Sequence, residues 1–423
     1  MLRSGSFAFR PATRGRSGLL VAALALVLFY CADSHPAPRF KLEQRGDFAP
    51  SISIADVADA AFLPLPGGVP AFGQRDAPVW LRISVESSGP FVLEVGYPQL
   101  DSVTVYYRDR GGWHLAELGD TLPYSTRPLD SNYYAVPFQT MPADGLIFLR
   151  AMSRGPVLVP VTISARDDFA AHVSRRSLLF GMYFGFLTIM AIFNLFLFAT
   201  LRDLAFVYYA GYLVCFIVSV LHLEGYAHQL LRHSPETNNL GFVWFGMQGY
   251  GWAVLFAASY LNLKHTLPRL NRMLTGLGLA IFIWCAAAPF VPYTMFQKLS
   301  QVAALIAVVA MMGAASHDAW HGNRSARIFL LAWVVLIVAT IGLILSFNAI
   351  IRNMLLAKYS VLIGSTIEVV LIAVGLADRM RILQREKEDQ QRESLERQRA
   401  LTIAYARFVP PQLLDNLGRT EIT

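Results

Sequence analysis

The residues whose types and spacing could do chemistry are few. His317 and His321 lie four apart with Asp318 between them, a spacing that sets two imidazoles on one helix face, where they could hold zinc. They also border an apolar run, where contact with polar headgroups accounts for them equally well. His222, Glu224, His228 and His233 gather just after another apolar run, as a ligand or proton sensor would, or simply a wet loop. Glu368 stands alone in the middle of a third. An ionisable group there costs several kcal/mol unless it is paired or faces a polar cavity. That leaves a signalling role or a structural hydrogen bond, with Asn194 or Asn348 as conceivable partners. Around these residues the sequence has no Gly-rich phosphate loop, no Cys pair at zinc spacing and no HExxH. No catalytic residue, metal or cofactor is therefore expected in this chain.

The elements that position these residues divide by texture. Hydrophobic residues make up 55% of the chain and charged ones 15%, against roughly 25% in soluble domains, which points to a membrane protein. The net charge of +7 comes without a basic stripe interleaved with aromatics, so it reads as membrane orientation and not as nucleic-acid binding. Arg3, Arg10, Arg14 and Arg16 precede an apolar core over Gly18–Tyr30 and then polar Asp33 and Ser34. That is the layout of a secretory signal over 1–34, with an uncleaved anchor as the alternative. Tyr30 before Cys31 argues against a lipoprotein signal. Cys215 and Cys285 lie in apolar runs, so a domain over 35–170 is held by its core alone, without disulfides.

That domain has the pattern of β-structure. Val79–Glu86, Phe91–Tyr97, Asp101–Asp109, Leu146–Ser153 and Val157–Ser164 alternate apolar with polar residues, separated by turn signals such as SSGP and RGG. Short strands at such spacing predict a two-sheet sandwich. Trp80, Tyr106, Tyr107, Trp113, Tyr133 and Tyr134 could line a ligand face on it, or serve as core and rim.

From Leu178 the pattern changes. Apolar runs at about Leu178–Thr200, Leu204–Leu223, Leu240–Leu261, Met273–Val291, Leu299–Ala315, Ile328–Phe347 and Tyr359–Leu376 approach the length that crosses hydrocarbon. They predict a seven-helix membrane domain over 177–376. Pro289 and Pro292 blur the junction of the fourth and fifth. Basic residues of the loops divide evenly between the two sides. Arg379, Arg381, Arg385, Lys387 and Arg392 after the last run break the tie and put the tail in the cytoplasm.

Several stretches are specific. The segment Gly181–Leu213 carries the Gly181 and Gly185 pair, Asn194, Arg202-Asp203 and Tyr208-Tyr209. It resembles the first two spans of the bacterial seven-transmembrane receptors with diverse intracellular signalling modules. Ser325–Gly342 and Tyr359–Met380 resemble the last two spans of that family, and Gly96–Tyr107 is similar to its exported domain. The resemblance implies a jelly-roll-like extracytoplasmic β-sandwich, of a kind suited to carbohydrate, that feeds a signalling output across the inner membrane of a Gram-negative-type cell. Within it, Asn194, Arg202, Asp203 and Glu368 are the candidate signalling residues of the spans. FVPPQLLDNLG (Phe408–Gly418) looks like the joint that precedes class III nucleotide cyclase domains, which makes 408–423 the joint to an output domain that this chain lacks.

Between span and joint, residues 377–407 fit a heptad. Leu376, Met380, Leu383, Lys387, Gln390, Ser394, Arg397, Leu401, Ala404 and Phe408 fall on alternating a and d positions. The seam is apolar at its ends and polar in its middle, as suits a marginal parallel homodimer with two registers of similar energy; a solvated single helix is the alternative. The expected molecule is a dimeric receptor in the lipid bilayer, with an extracytoplasmic small-molecule or carbohydrate ligand and a cyclase output. The alternatives are a small-molecule transporter, or a receptor for a histidine kinase or diguanylate cyclase. Against transport, the spans hold few charges and no Gly/Pro-broken pair in matching halves.

Overall fold

The computed structural model describes residues 39–408, apart from 46–47, 49–51, 66–68, 76, 87–88, 232–235, 348–349 and 352–353. The expected signal over 1–34, His233, Asn348 and the joint from 409 onward lie outside the described residues.

Described strands are β1 (Arg39–Arg45), β2 (Leu63–Pro64), β3 (Ala71–Gln74), β4 (Val79–Glu86), β5 (Phe91–Val95), β6 (Ser102–Asp109), β7 (Gly112–Leu118), β8 (Tyr134–Phe138), β9 (Leu146–Met152), β10 (Pro156–Leu158) and β11 (Val161–Ala165). A short helix, α1 (Ile54–Ala58), sits among the first of them. They form a six-stranded sheet in the order β2-β1-β4-β9-β6-β7, a three-stranded sheet β11-β5-β8 and the pair β10-β3. Val79, Leu81, Ile83 and Val85 of β4 meet Phe91, Leu93 and Val95 of β5 in the core between the layers, as alternation on a half-buried strand requires. The large sheet is covered on its other face too. Trp80 and Phe148 pack there against Phe48, Val57 and Phe62.

The run Val157–Ser164 is not one strand. It breaks at Pro160 into β10 and β11, which belong to different sheets. A proline has no N–H for the ladder, and the Pro160 carbonyl instead accepts from Gly96 N at 2.9 Å.

Ala165 ends β11 and Arg166 begins the first long helix, so the sandwich runs into the helical region with no linker. The remaining helices are α2 (Arg166–Leu201), α3 (Leu204–Leu223), α4 (Tyr226–Leu231), α5 (Glu236–Tyr260), α6 (Leu263–Thr266), α7 (Pro268–Ala286), α8 (Tyr293–Trp320), α9 (Arg324–Phe347) and α10 (Met354–Phe408). Six described helices (α2, α3, α5, α8, α9 and α10) contain stretches long and apolar enough to cross a membrane. The expected fourth span, α7, is not among them. It nevertheless runs the height of the bundle. It starts beside α6, just past the end of α5, and finishes where Cys285 O accepts from Trp244 Nε1 near the start of α5 at 2.9 Å.

α2, with 36 residues, is about 54 Å long at 1.5 Å per residue, well beyond the roughly 30 Å of hydrocarbon. Its first turns therefore rise to meet the sandwich. α10, with 55 residues, is longer still and leaves the bundle as a single rod.

Candidate functional site: two polar junctions and a buried carboxylate

The first junction joins the sandwich to the bundle. Alternation along β5 that sends Leu93 and Val95 into the sandwich core sends Glu94 the other way, toward α2. There Arg176 Nη1 and Nη2 donate to the two Glu94 oxygens, each at 2.9 Å. Nη2 also donates to Ser131 Oγ at 3.1 Å, and the guanidinium lies 4.1 Å from the Tyr133 ring centroid. This is the bidentate, stacked geometry that only arginine supplies. Tyr133 Oη then donates to Glu224 Oε2 at 2.8 Å. Burial and the neighbouring Glu224 push the Tyr133 phenol well above its usual range, which keeps it a donor.

Backbone at the end of α3 is held as well. Asn132 Nδ2 donates to Glu224 O at 2.8 Å and Gln99 Nε2 to His222 O at 2.7 Å. Such close approach needs Gly225, which has φ of 77° and where an added Cβ would stand 2.5 Å from Asn132 O. His228 packs edge-on against Tyr124, ring centroids 5.6 Å apart. Burial, and then the charge of Arg127, lower its pKa to about 4. A cavity of about 50 Å³ remains between the layers, lined by Glu94, Tyr97, Tyr133, Glu224, Leu343 and Ser360 among others. That is room for a few waters.

At the opposite end of the bundle is the second junction. Arg202 takes the left-handed conformation that ends α2, and Asp203 caps α3 by accepting from Ala205 N at 3.0 Å. The other Asp203 oxygen accepts from Arg379 Nε of α10 at 2.7 Å. Arg379 Nη1 donates in addition to the Tyr260 carbonyl at the end of α5. Close packing supports this, since a Cβ on Gly375 would meet the Tyr260 hydroxyl. Asp203 thus ties the α2–α3 turn to α10. Arg202 itself points outward and is exposed.

Glu368 lies between the two junctions on α10, fully buried, with both carboxylate oxygens lacking a hydrogen-bond partner. Tyr183, Tyr209 and Tyr212 surround it within electrostatic reach. Tyr183 Oη is engaged by Ser365 Oγ at 2.8 Å; the Tyr212 hydroxyl approaches Glu368 from just beyond hydrogen-bond length, and that of Tyr209 has no partner. Asn194 is buried too, but its amide nitrogen donates to Met190 O of its own helix at 2.8 Å.

The six sandwich aromatics do not form one face. Trp80, Tyr106 and Trp113 belong to the cluster on the far side of the large sheet, with Trp80 stacked on Tyr106 at 5.5 Å. Tyr107 stacks on His114 and meets Phe138. Tyr134 is core, its hydroxyl donating to Pro98 O at 2.8 Å. Tyr133 is the one at the junction with the bundle. His317 and His321 do come together, ring centroids 4.4 Å apart, but Asp318 is taken by Asn323. Among the described residues no group of three or more His, Cys, Asp or Glu is arranged to hold a metal.

On α10 the heptad positions divide. Leu376 is buried in the bundle core, and Met380 and Leu383 pack against it. Leu401 is exposed. Two features escaped sequence reasoning: the Glu94–Arg176 pair, whose members lie 82 positions apart, and the specific choice of Arg379 among the tail arginines.

Two family models match the chain. Residues 42–165 match the one described as 7TMR-DISM extracellular 2, and residues 176–379 match 7TM diverse intracellular signalling. Comparison with curated proteins gives no match.

Proposed function

Because the chain belongs to the seven-transmembrane receptors with diverse intracellular signalling modules, and is thus a membrane protein with an extracellular domain and several spans, we propose that it is a sensory receptor whose signal travels through the α2–α3 hairpin to α10. The observation that carries this reading is that the hairpin is fastened at both ends. Its outer end is tied to the sandwich by Arg176–Glu94 and Glu224–Tyr133, its inner end to the output helix by Asp203–Arg379. A ligand that shifts the sandwich pulls on α2 directly, since no linker intervenes. The buried Arg176–Glu94 pair and the part-buried Asp203–Arg379 pair resist separation, so the hairpin moves as a body and α10 moves with it.

The ligand is a small molecule or carbohydrate outside the cell, and α10 works as a homodimer in the cytoplasm. The output it serves is a class III nucleotide cyclase domain; what supports this is the resemblance of Phe408–Gly418 to the joint before such domains. In a chimera carrying a class III catalytic domain after Thr423, Arg379→Ala should uncouple the tail and change basal cyclic nucleotide output several-fold. Asp203→Asn should do the same, and the double variant should be no worse than either single one. Independent, additive effects of the two substitutions, or none, would refute transmission through this pair.

A further inference from the structure

Glu368 is the only Asp, Glu, Lys, Arg or His in the apolar stretches 177–201, 204–221, 240–261, 273–286, 299–316, 328–346 and 359–377. It is fully buried, and neither of its oxygens has a hydrogen-bond partner. Titratable groups facing it are Tyr183 from α2 and Tyr209 and Tyr212 from α3. Between 328 and 346 the sequence of α9 offers no titratable side chain, and from α5 Tyr250 stands behind Tyr212. The closest charged pairs along α10 are Arg324–Asp378 and Asp203–Arg379, ten and eleven residues further on, or about 15 Å along the helix.

A carboxylate in such surroundings has only the long approach of the Tyr212 hydroxyl to offset its lost hydration, and no cation on the protein reaches it. We infer that Glu368 is a proton-binding site of the receptor, occupied in the state seen here, and that Tyr209 and Tyr212 are the donors that stabilise its ionised form in another state. The two tyrosine hydroxyls are suited to that part because both are buried on α3, that of Tyr209 without a partner and that of Tyr212 already turned toward Glu368. A small movement of α10 against α3 would bring them to the carboxylate. The O–H bond of Glu368 then breaks, its proton passes to bulk water, and two phenol O–H groups donate to the resulting anion. Hydrogen bonds to a charged group favour that form, so proton release and helix movement become one event. This goes beyond the receptor reading, since it makes the proton a second ligand of the bundle.

Infrared difference spectroscopy of the full chain in lipid nanodiscs tests it without any output domain, so its failure is distinguishable from failure of the signalling proposal. At neutral pH the spectrum of the wild type minus Glu368→Gln should show a protonated carboxyl C=O band. That band should shift in D₂O and disappear only at alkaline pH. Labelling glutamate side chains with ¹³C should move the same band in the wild type, which checks the assignment should the variant fold poorly. Tyr209→Phe and Tyr212→Phe should each raise the pH at which the band is lost by about one unit. A carboxylate band in its place at neutral pH would overturn the inference. So would loss of the band on adding sodium ions at constant pH, which would make the site a cation site. An unchanged midpoint in both tyrosine variants would remove their assigned part.

Discussion

His228 is buried where α4 meets the sandwich, its ring against Tyr124 and its Nε2 without a hydrogen-bond partner. Burial and Arg127 depress its pKa from 6.5 to about 4. The unfolded chain therefore binds a proton more readily than the folded one throughout that interval. Stability is complete above about pH 6.5 and falls as the pH drops toward 4. Below that both states are protonated and the loss levels off. The expected outcome is a thermal midpoint that declines between pH 6.5 and 4 in the full chain, with a smaller decline in His228→Gln, whose neutral amide takes no proton. Equal slopes in the two proteins would show that His228 does not titrate as its packing requires. Glu94, Arg176 and Tyr133 nearby are of a different kind: they are held by short hydrogen bonds, and breaking one leaves a buried charge or polar group without its partner.

At the scale of elements, α10 carries two environments on one rod. As far as Leu383 one apolar face of it, with Leu362, Val369, Ile372 and Leu376, packs into the bundle, and among the described side chains from Gln384 to Ile403 every one is exposed. A helix polar on all sides gains little from water alone, so the exposed part is suited to a partner. Each residue turns the helix by about 100°. Inserting one residue after Arg385 should rotate everything beyond it out of phase and abolish ligand control in a cyclase chimera. Inserting seven restores the heptad face and should preserve control; equal behaviour of the two insertions would exclude a phased helix pair. The heptad was legible in the sequence, but its first members were not legible as bundle contacts. Leu376, Met380 and Leu383 satisfy either packing, and only the neighbouring helices decide. The same limit explains the sandwich. β4, β5, β6 and β9 were readable because their sequences alternate apolar with polar residues, whereas β1 and β7 are edge-proximal and too polar to stand out, and β8 (YAVPF) has no polar alternation. Trp80, Tyr106 and Trp113 suggested a ligand face, yet Phe48, Val57 and Phe62 cover that side of the sheet, a return of the chain that no local pattern announces. Glu368 stood out in the sequence because an ion in an apolar run is costly, whereas Asp203 entered only through the family resemblance of its turn.

For the whole molecule, the decisive quantity is the number of crossings. If the described helices that meet the length and apolarity criterion were the only spans, an even count would return the tail to the sandwich side. α7 decides the parity. Its 19 residues span about 28 Å, close to the hydrocarbon thickness, and Arg269 and Arg272 in its first turns weaken its apolar signal without shortening it. Geometry at its far end agrees with a crossing: Tyr293, which starts α8 just beyond α7, lies with its ring centroid 5.7 Å from the guanidinium of Arg154 in the sandwich. The end of α7 is therefore on the sandwich side and its beginning on the other. With α7 counted, the basic residues after Leu376 fall on the side opposite the sandwich, and charge bias favours that side as the inner one. A reporter that works only after export should accordingly be active when fused at Asp168 and at Val291, and inactive at Arg202 and at Arg385. Activity at Arg385 together with silence at Val291 would mean that α7 does not cross, and the path from sandwich to cytoplasmic output drawn through the hairpin would have to be abandoned.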